Sequence, residues 1–276
     1  MTTVGVERRR LFDADFIRWY ASRSISVAGT AASAVALPLL VYRTSASPAL
    51  TAAVVGLEAL PYLLFGLFAG AAADRLDRRR MMVAADLACA LMLATVPVAG
   101  LLGVLSPWHV MAVAFGVGCG FCWFDAAAWG AFFRIVGKSG VTRANSIVWS
   151  TEVTLEIAAP AAAGLLAAAT DPAAVLAVDA ATYLVSAALL AGLRTDLTPA
   201  APSTRRWWSE IAEGWRHLWA MPVVRTLTAA GFGFNVAVGG VLGLLVVHAD
   251  RVLGLSPADR RIGGSACSTP RARPAR

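Results

Sequence analysis

Gly70-Ala71-Ala72-Ala73-Asp74-Arg75-Leu76-Asp77-Arg78-Arg79-Arg80 concentrates charge between two stretches that have almost none. Behind it, Leu50–Ala73 carries the single charge Glu58. Ahead of it, Met81–Val104 carries only Asp86. Each flank is longer than the ~20 apolar residues that one helix needs to cross a bilayer. The charged stretch therefore reads as a short loop joining two antiparallel membrane helices. The same alternation continues in both directions and predicts seven spans: Phe16–Tyr42, Leu50–Ala73, Met81–Val104, Pro107–Phe133, Ala144–Ala169, Ala174–Leu193 and Arg225–Ala249.

Composition agrees with this. The chain is 58% hydrophobic and 15% charged, against about half and about a quarter for soluble domains. The expected class is an all-α integral membrane protein. The net charge of +7 rests almost wholly on arginine, with Lys138 the one lysine. No basic soluble domain is present to bind nucleic acid. The arginines instead mark orientation. Arg8, Arg9, Arg10, Arg18, Arg75, Arg78, Arg79, Arg80, Arg134, Lys138, Arg143, Arg194, Arg205, Arg206 and Arg216 fall on one side of the spans. The opposite loops hold only Arg43. Positive loops stay inside, so the N-terminus is expected in the cytoplasm and the chain in the cell membrane.

These spans give an organisation. Residues 1–15 form a cytoplasmic tail, 16–193 a six-helix bundle, 194–224 a linker, 225–249 a seventh helix and 250–276 a basic tail. In the linker, Trp208, Ile211, Trp215, Leu218 and Trp219 recur at helical steps opposite Glu210, Glu213, Arg216 and His217. This pattern is that of an amphipathic helix lying on the membrane surface. Pairs spaced G-x-x-x-G at Gly66/Gly70, Gly116/Gly120 and Gly239/Gly243 allow close helix approach in lipid.

No enzyme constellation emerges. His109, His217 and His248 are far apart, and no glycine-rich loop with a lysine suggests direct ATP use. Cys119 and Cys122 form a C-x-x-C inside an apolar helix with no second ligand pair, so they read as packing residues and no metal or cofactor is expected. Ionisable residues within spans are costly and each is a functional candidate: Arg23, Glu58, Asp86, Asp125, Glu152 and Glu156. Glu152 and Glu156 stand four apart on one helix face, where one could hold a proton. That is the basis for expecting proton coupling. Arg23 has an alternative reading as a snorkelling interfacial arginine. Asp86 and Asp125 have one as structural partners of the loop arginines.

The Gly70–Arg80 loop resembles the G-x-x-x-D-R-x-G-R-R-x signature of the major facilitator superfamily, with Asp77 in place of its glycine. Asp77 is shared with a branch of siderophore and macrolide exporters. Arg23-Ser24-Ile25-Ser26-Val27-Ala28-Gly29, Ala36-Leu37-Pro38-Leu39-Leu40-Val41-Tyr42, Phe124-Asp125-Ala126-Ala127, Ala144-Asn145-Ser146 and Trp208–Gly214 are similar to the same branch. The resemblance covers residues 11 to 258. It implies the N-terminal six-helix half of a twelve-helix exporter, plus a seventh helix, that moves an amphipathic small molecule such as a drug or siderophore outward against protons. Gly70, Asp74, Arg75, Arg78 and Arg79 would then form a conformational latch. Asp74 would bond to backbone donors of a neighbouring helix and Arg78 to buried carboxylates.

The sequence departs from that family in two helices. The fifth-helix motif reads Ala159-Pro160-Ala161-Ala162-Ala163-Gly164, and Cys89 stands where an arginine is common three residues after Asp86. From Asp259 the text turns arginine-rich without another apolar run, so a truncation or frame change is expected there. The partners implied are the bilayer, a small-molecule substrate and protons, with a homodimer or a separate second half completing the path. The alternative is a non-transporting membrane scaffold or half-transporter. A seven-helix receptor is disfavoured by the charge bias and by the absence of lysine in the last span.

Overall fold

The structure, a computed structural model, describes residues 13–137, 140–199, 207–231, 233–234 and 237. Its described elements are all helical: α1 (Ala14–Ser45), α2 (Pro48–Ala73), α3 (Arg78–Leu101), α4 (Pro107–Val136), α5 (Val141–Ala169), α6 (Pro172–Ala191) and α7 (Trp207–Ala220). Residues 222–231 are also helical. The first six helices fall on the six spans read from the sequence. The amphipathic segment is helical where it is described. Most of the seventh span and the whole basic tail lie outside the described residues.

The helix starts are written locally. Ser47-Pro48, Ser106-Pro107 and Asp171-Pro172 open α2, α4 and α6. In each the first residue accepts from a backbone N–H of the first turn, and proline fills the position that needs no donor. All three lie at the arginine-poor end. Asp13 and Asp77 cap α1 and α3 in the same way at the other end. α1 stops at Ala46, whose φ of 54° takes the left-handed turn that closes a helix.

α1 is the central element. It packs on α2, α4, α5 and α6, while α3 joins α4 and α6 around it and α2 lies against α4. Buried side chains fall into two clusters. One, at the arginine-rich end, gathers Phe16, Trp19, Met82, Phe132 and Leu193. The other gathers Leu37, Val54, Leu93, Val110 and Leu176. Among the described helices, α1, α2, α3, α4 and α6 are long and apolar enough to cross a membrane by length and composition. Large apolar side chains such as Leu63, Leu91, Val98 and Ile157 point outward, as a lipid-facing surface requires.

Close helix approach uses some of the glycines the spacing singled out, and one that it did not. On α2, Gly66 and Gly70 face open space. On α4, Gly116 and Gly120 do pack, against Met92 and Cys89 of α3. The closest approach to another helix's backbone is at Gly118, where a Cβ would stand 2.5 Å from the Glu58 carbonyl oxygen of α2. Gly239 and Gly243 lie outside the described residues.

Candidate transport site

Arg23 lies in the third turn of α1, 7% exposed. Its Nη1 donates to Asp125 of α4 at 3.0 Å, its Nε donates to Glu152 of α5, and its guanidinium lies 5.2 Å from the centre of the Trp129 ring. Arg23 therefore does not snorkel to the interface, because its guanidinium is engaged by Asp125, Glu152 and Trp129 inside the bundle. Asp125 likewise belongs to Arg23 and not to the loop arginines. The side chains are 8% exposed for Arg23, 13% for Glu152 and 26% for Asp125, so the cluster opens outward through the aspartate.

Charge counting gives this cluster its chemistry. One guanidinium faces two carboxylates, leaving one negative charge over in a low-dielectric setting. A proton or the cationic group of a ligand would balance it. Tyr20, one turn before Arg23, shares a 2.6 Å hydrogen bond with Thr151, the residue before Glu152. That bond fixes the register of α1 on α5.

Glu156 is not in the cluster. It is exposed, and the pairing with Glu152 expected from their spacing is replaced by the Arg23–Glu152 ion pair. Glu58 is half-buried on α2, with its backbone against Gly118. Asp86 does not meet the loop arginines; it is fully buried and accepts from Ser186 of α6 at 2.5 Å. Asp179 of α6, fully buried and accepting from Ser33 and Thr182, was missed by the sequence reading. It stands alone in an apolar run, so the rule that flagged Asp86 also covers it.

The charged loop acts as a clamp. Arg78 donates to the carbonyl of Ala73 at 2.9 Å and reaches that of Gly130 on α4 at 3.5 Å. Its carboxylate partner is Asp74, at 3.4 Å and largely exposed. The expected pairing of Arg78 with buried carboxylates is thus corrected: it satisfies carbonyls left over at the end of α2 and along α4. Gly130 makes this possible, since a Cβ there would meet the guanidinium. Arg79 donates to the Leu193 carbonyl beyond α6 at 2.8 Å. Asp15 completes the tie by accepting from the backbone N–H groups of Arg194 and Thr195 and from the Thr195 hydroxyl. Asp74 makes no bond to a neighbouring helix start among the described residues. Gly70 faces open space, and Arg75 lies half-buried in the same loop.

Six long helices, five of them apolar enough to cross a membrane, with a paired arginine on the central one and an arginine-rich clamp at one end, define a multi-pass membrane bundle. A family model described as transmembrane secretion effector matches residues 11–259. Over 210 residues the chain is 33% identical to the multidrug efflux pump Tap of Mycolicibacterium fortuitum, a match covering 72% of this chain and 51% of the relative. The chain belongs to the transmembrane secretion effector family of the major facilitator superfamily, a family of transporters and not of enzymes. It spans about half the length of the curated relative it matches.

Proposed function

We propose that this bundle is one half of a secondary exporter that moves an amphipathic small molecule out of the cell, driven by proton entry. The observation that carries this reading is the buried Arg23 held between Asp125 and Glu152, with one negative charge in excess and Asp125 partly open. In alternating access the path lies between two halves. α1, α4 and α5, the helices that carry the cluster, would face it. Either a proton or a cationic substrate neutralises the excess charge, and competition between them couples the two movements. The similarity to a multidrug efflux pump supports the drug-like substrate class. The arginine bias supports a cell-membrane location with α1 beginning in the cytoplasm.

Alternating access needs a second, facing bundle, which is not among the described residues. The match to 51% of the relative's length supports reading this bundle as one of two halves. The test is uptake of a fluorescent cationic drug by everted membrane vesicles under an imposed pH gradient. Uptake that collapses with a protonophore supports the reading. Uptake indifferent to the gradient, or equal to that of vesicles lacking the protein, ends it and leaves a membrane scaffold as the role.

A further inference from the structure

A row of hydroxyls runs along one face of α1: Ser22, Ser26, Thr30 and Ser33, at steps of four, four and three residues. α6 answers with Ser186, Tyr183, Thr182 and Asp179, and α3 adds Asp86. Ser22 Oγ lies 2.8 Å from Ser186 Oγ, which donates to Asp86 Oδ2 at 2.5 Å. Thr30 Oγ1 lies 2.8 Å from the Tyr183 hydroxyl. Ser33 donates to one oxygen of Asp179, and Thr182 donates to the other at 3.0 Å. At 1.5 Å per residue, Ser22 to Ser33 covers about 16 Å, roughly half the hydrocarbon thickness.

Hydroxyls alone would glue these helices together. The two acids need a further reason. Both are fully buried, and the groups acting on them include no cation: Ser186 for Asp86, and Ser33 and Thr182 for Asp179. The other titratable neighbours are Cys89 of α3, Tyr183 of α6 and, facing Asp179, Glu58 of α2. Asp86 Oδ1 has no hydrogen-bond partner among the described residues. An ionised carboxylate placed so is heavily penalised, whereas a neutral acid is tolerated. The oxygens stand at single-proton hydrogen-bond spacing, and no cluster of metal-binding side chains occurs among the described residues.

We propose that Asp86 and Asp179 are proton-binding sites, held as neutral acids in the seam of α1, α3 and α6. As sites for the coupling proton this rests on the efflux reading; as proton binding it does not.

Infrared titration of the purified chain in lipid nanodiscs tests this. The wild type is expected to show carbonyl bands of protonated carboxylic acids at neutral pH that shift in heavy water. Asp86→Asn and Asp179→Asn are expected to remove one band each. The wild-type spectrum stands even if a variant fails to fold, which circular dichroism reports. Absence of such bands in the wild type, or their survival in the double variant, overturns the sites. Bands that behave as expected in a protein without pH-driven uptake would uphold the sites while the efflux reading falls.

Discussion

The Asp125 carboxylate of α4 and the Arg23 guanidinium of α1 lie 3.0 Å apart, with the arginine almost sealed and the aspartate a quarter open. The same guanidinium also engages Glu152 of α5. One side chain of the central helix therefore holds two of its neighbours by charge. The open aspartate is where that balance can be altered from outside.

Removing Arg23 strands two carboxylates inside the bundle. Breaking a buried ion pair by deleting one partner costs about 3–5 kcal/mol, so Arg23→Gln should sharply lower thermal stability in detergent. Asp125→Asn, at the more exposed position, should cost less. The double variant Arg23→Gln with Glu152→Gln should recover part of the loss. Strict additivity in that cycle would deny the coupling.

The two glutamates of α5 should separate functionally. Glu152→Gln removes the negative charge beside Arg23 and is expected to abolish pH-driven drug uptake at normal expression. Glu156→Gln changes an exposed position and should leave uptake within about twofold, the size of a surface effect. Loss in Glu156→Gln alone would move the site away from Arg23.

The crossing of α2 over α4 should respond to volume at one glycine and not at another. Gly118→Val drives a side chain into the Glu58 carbonyl and should cost about 1–3 kcal/mol by overpacking. Gly66→Val points into open space and should be close to neutral. Melting curves of both variants decide it.

Asp15 accepts hydrogen bonds from three groups of Arg194 and Thr195. Asp15→Ala leaves those donors unpaired, at about 1–3 kcal/mol. The segment after α6 should then be cut faster in limited proteolysis, with little change elsewhere.

Much of this architecture was legible in the sequence because charge marks where a membrane helix begins. The apolar runs and the arginine clusters between them place the ends of α1 to α6 within a few residues. What could not be read was the partner of each buried charge. Spacing put Glu152 beside Glu156 on one helix face, but Arg23, distant in sequence, claims Glu152 in space. Arg78 looked like a partner for buried acids. It instead caps carbonyls, because the end of α2 and the Gly130 gap lie nearer. Asp179 could have been found by the same rule as Asp86. Its bonds to Ser33 and Thr182 could not, since only the packing of α6 on α1 brings Ser33 to it.

The position of α1 also bears on biogenesis. Its polar face finds partners that are synthesised much later: Glu152 follows Arg23 by 129 residues and Asp179 follows Ser33 by 146. At cellular translation speeds this is a delay of roughly ten seconds. α1 thus leaves the ribosome with a polar face whose partners have yet to be made, and it must be sheltered at the insertion machinery until α5 and α6 arrive to receive it.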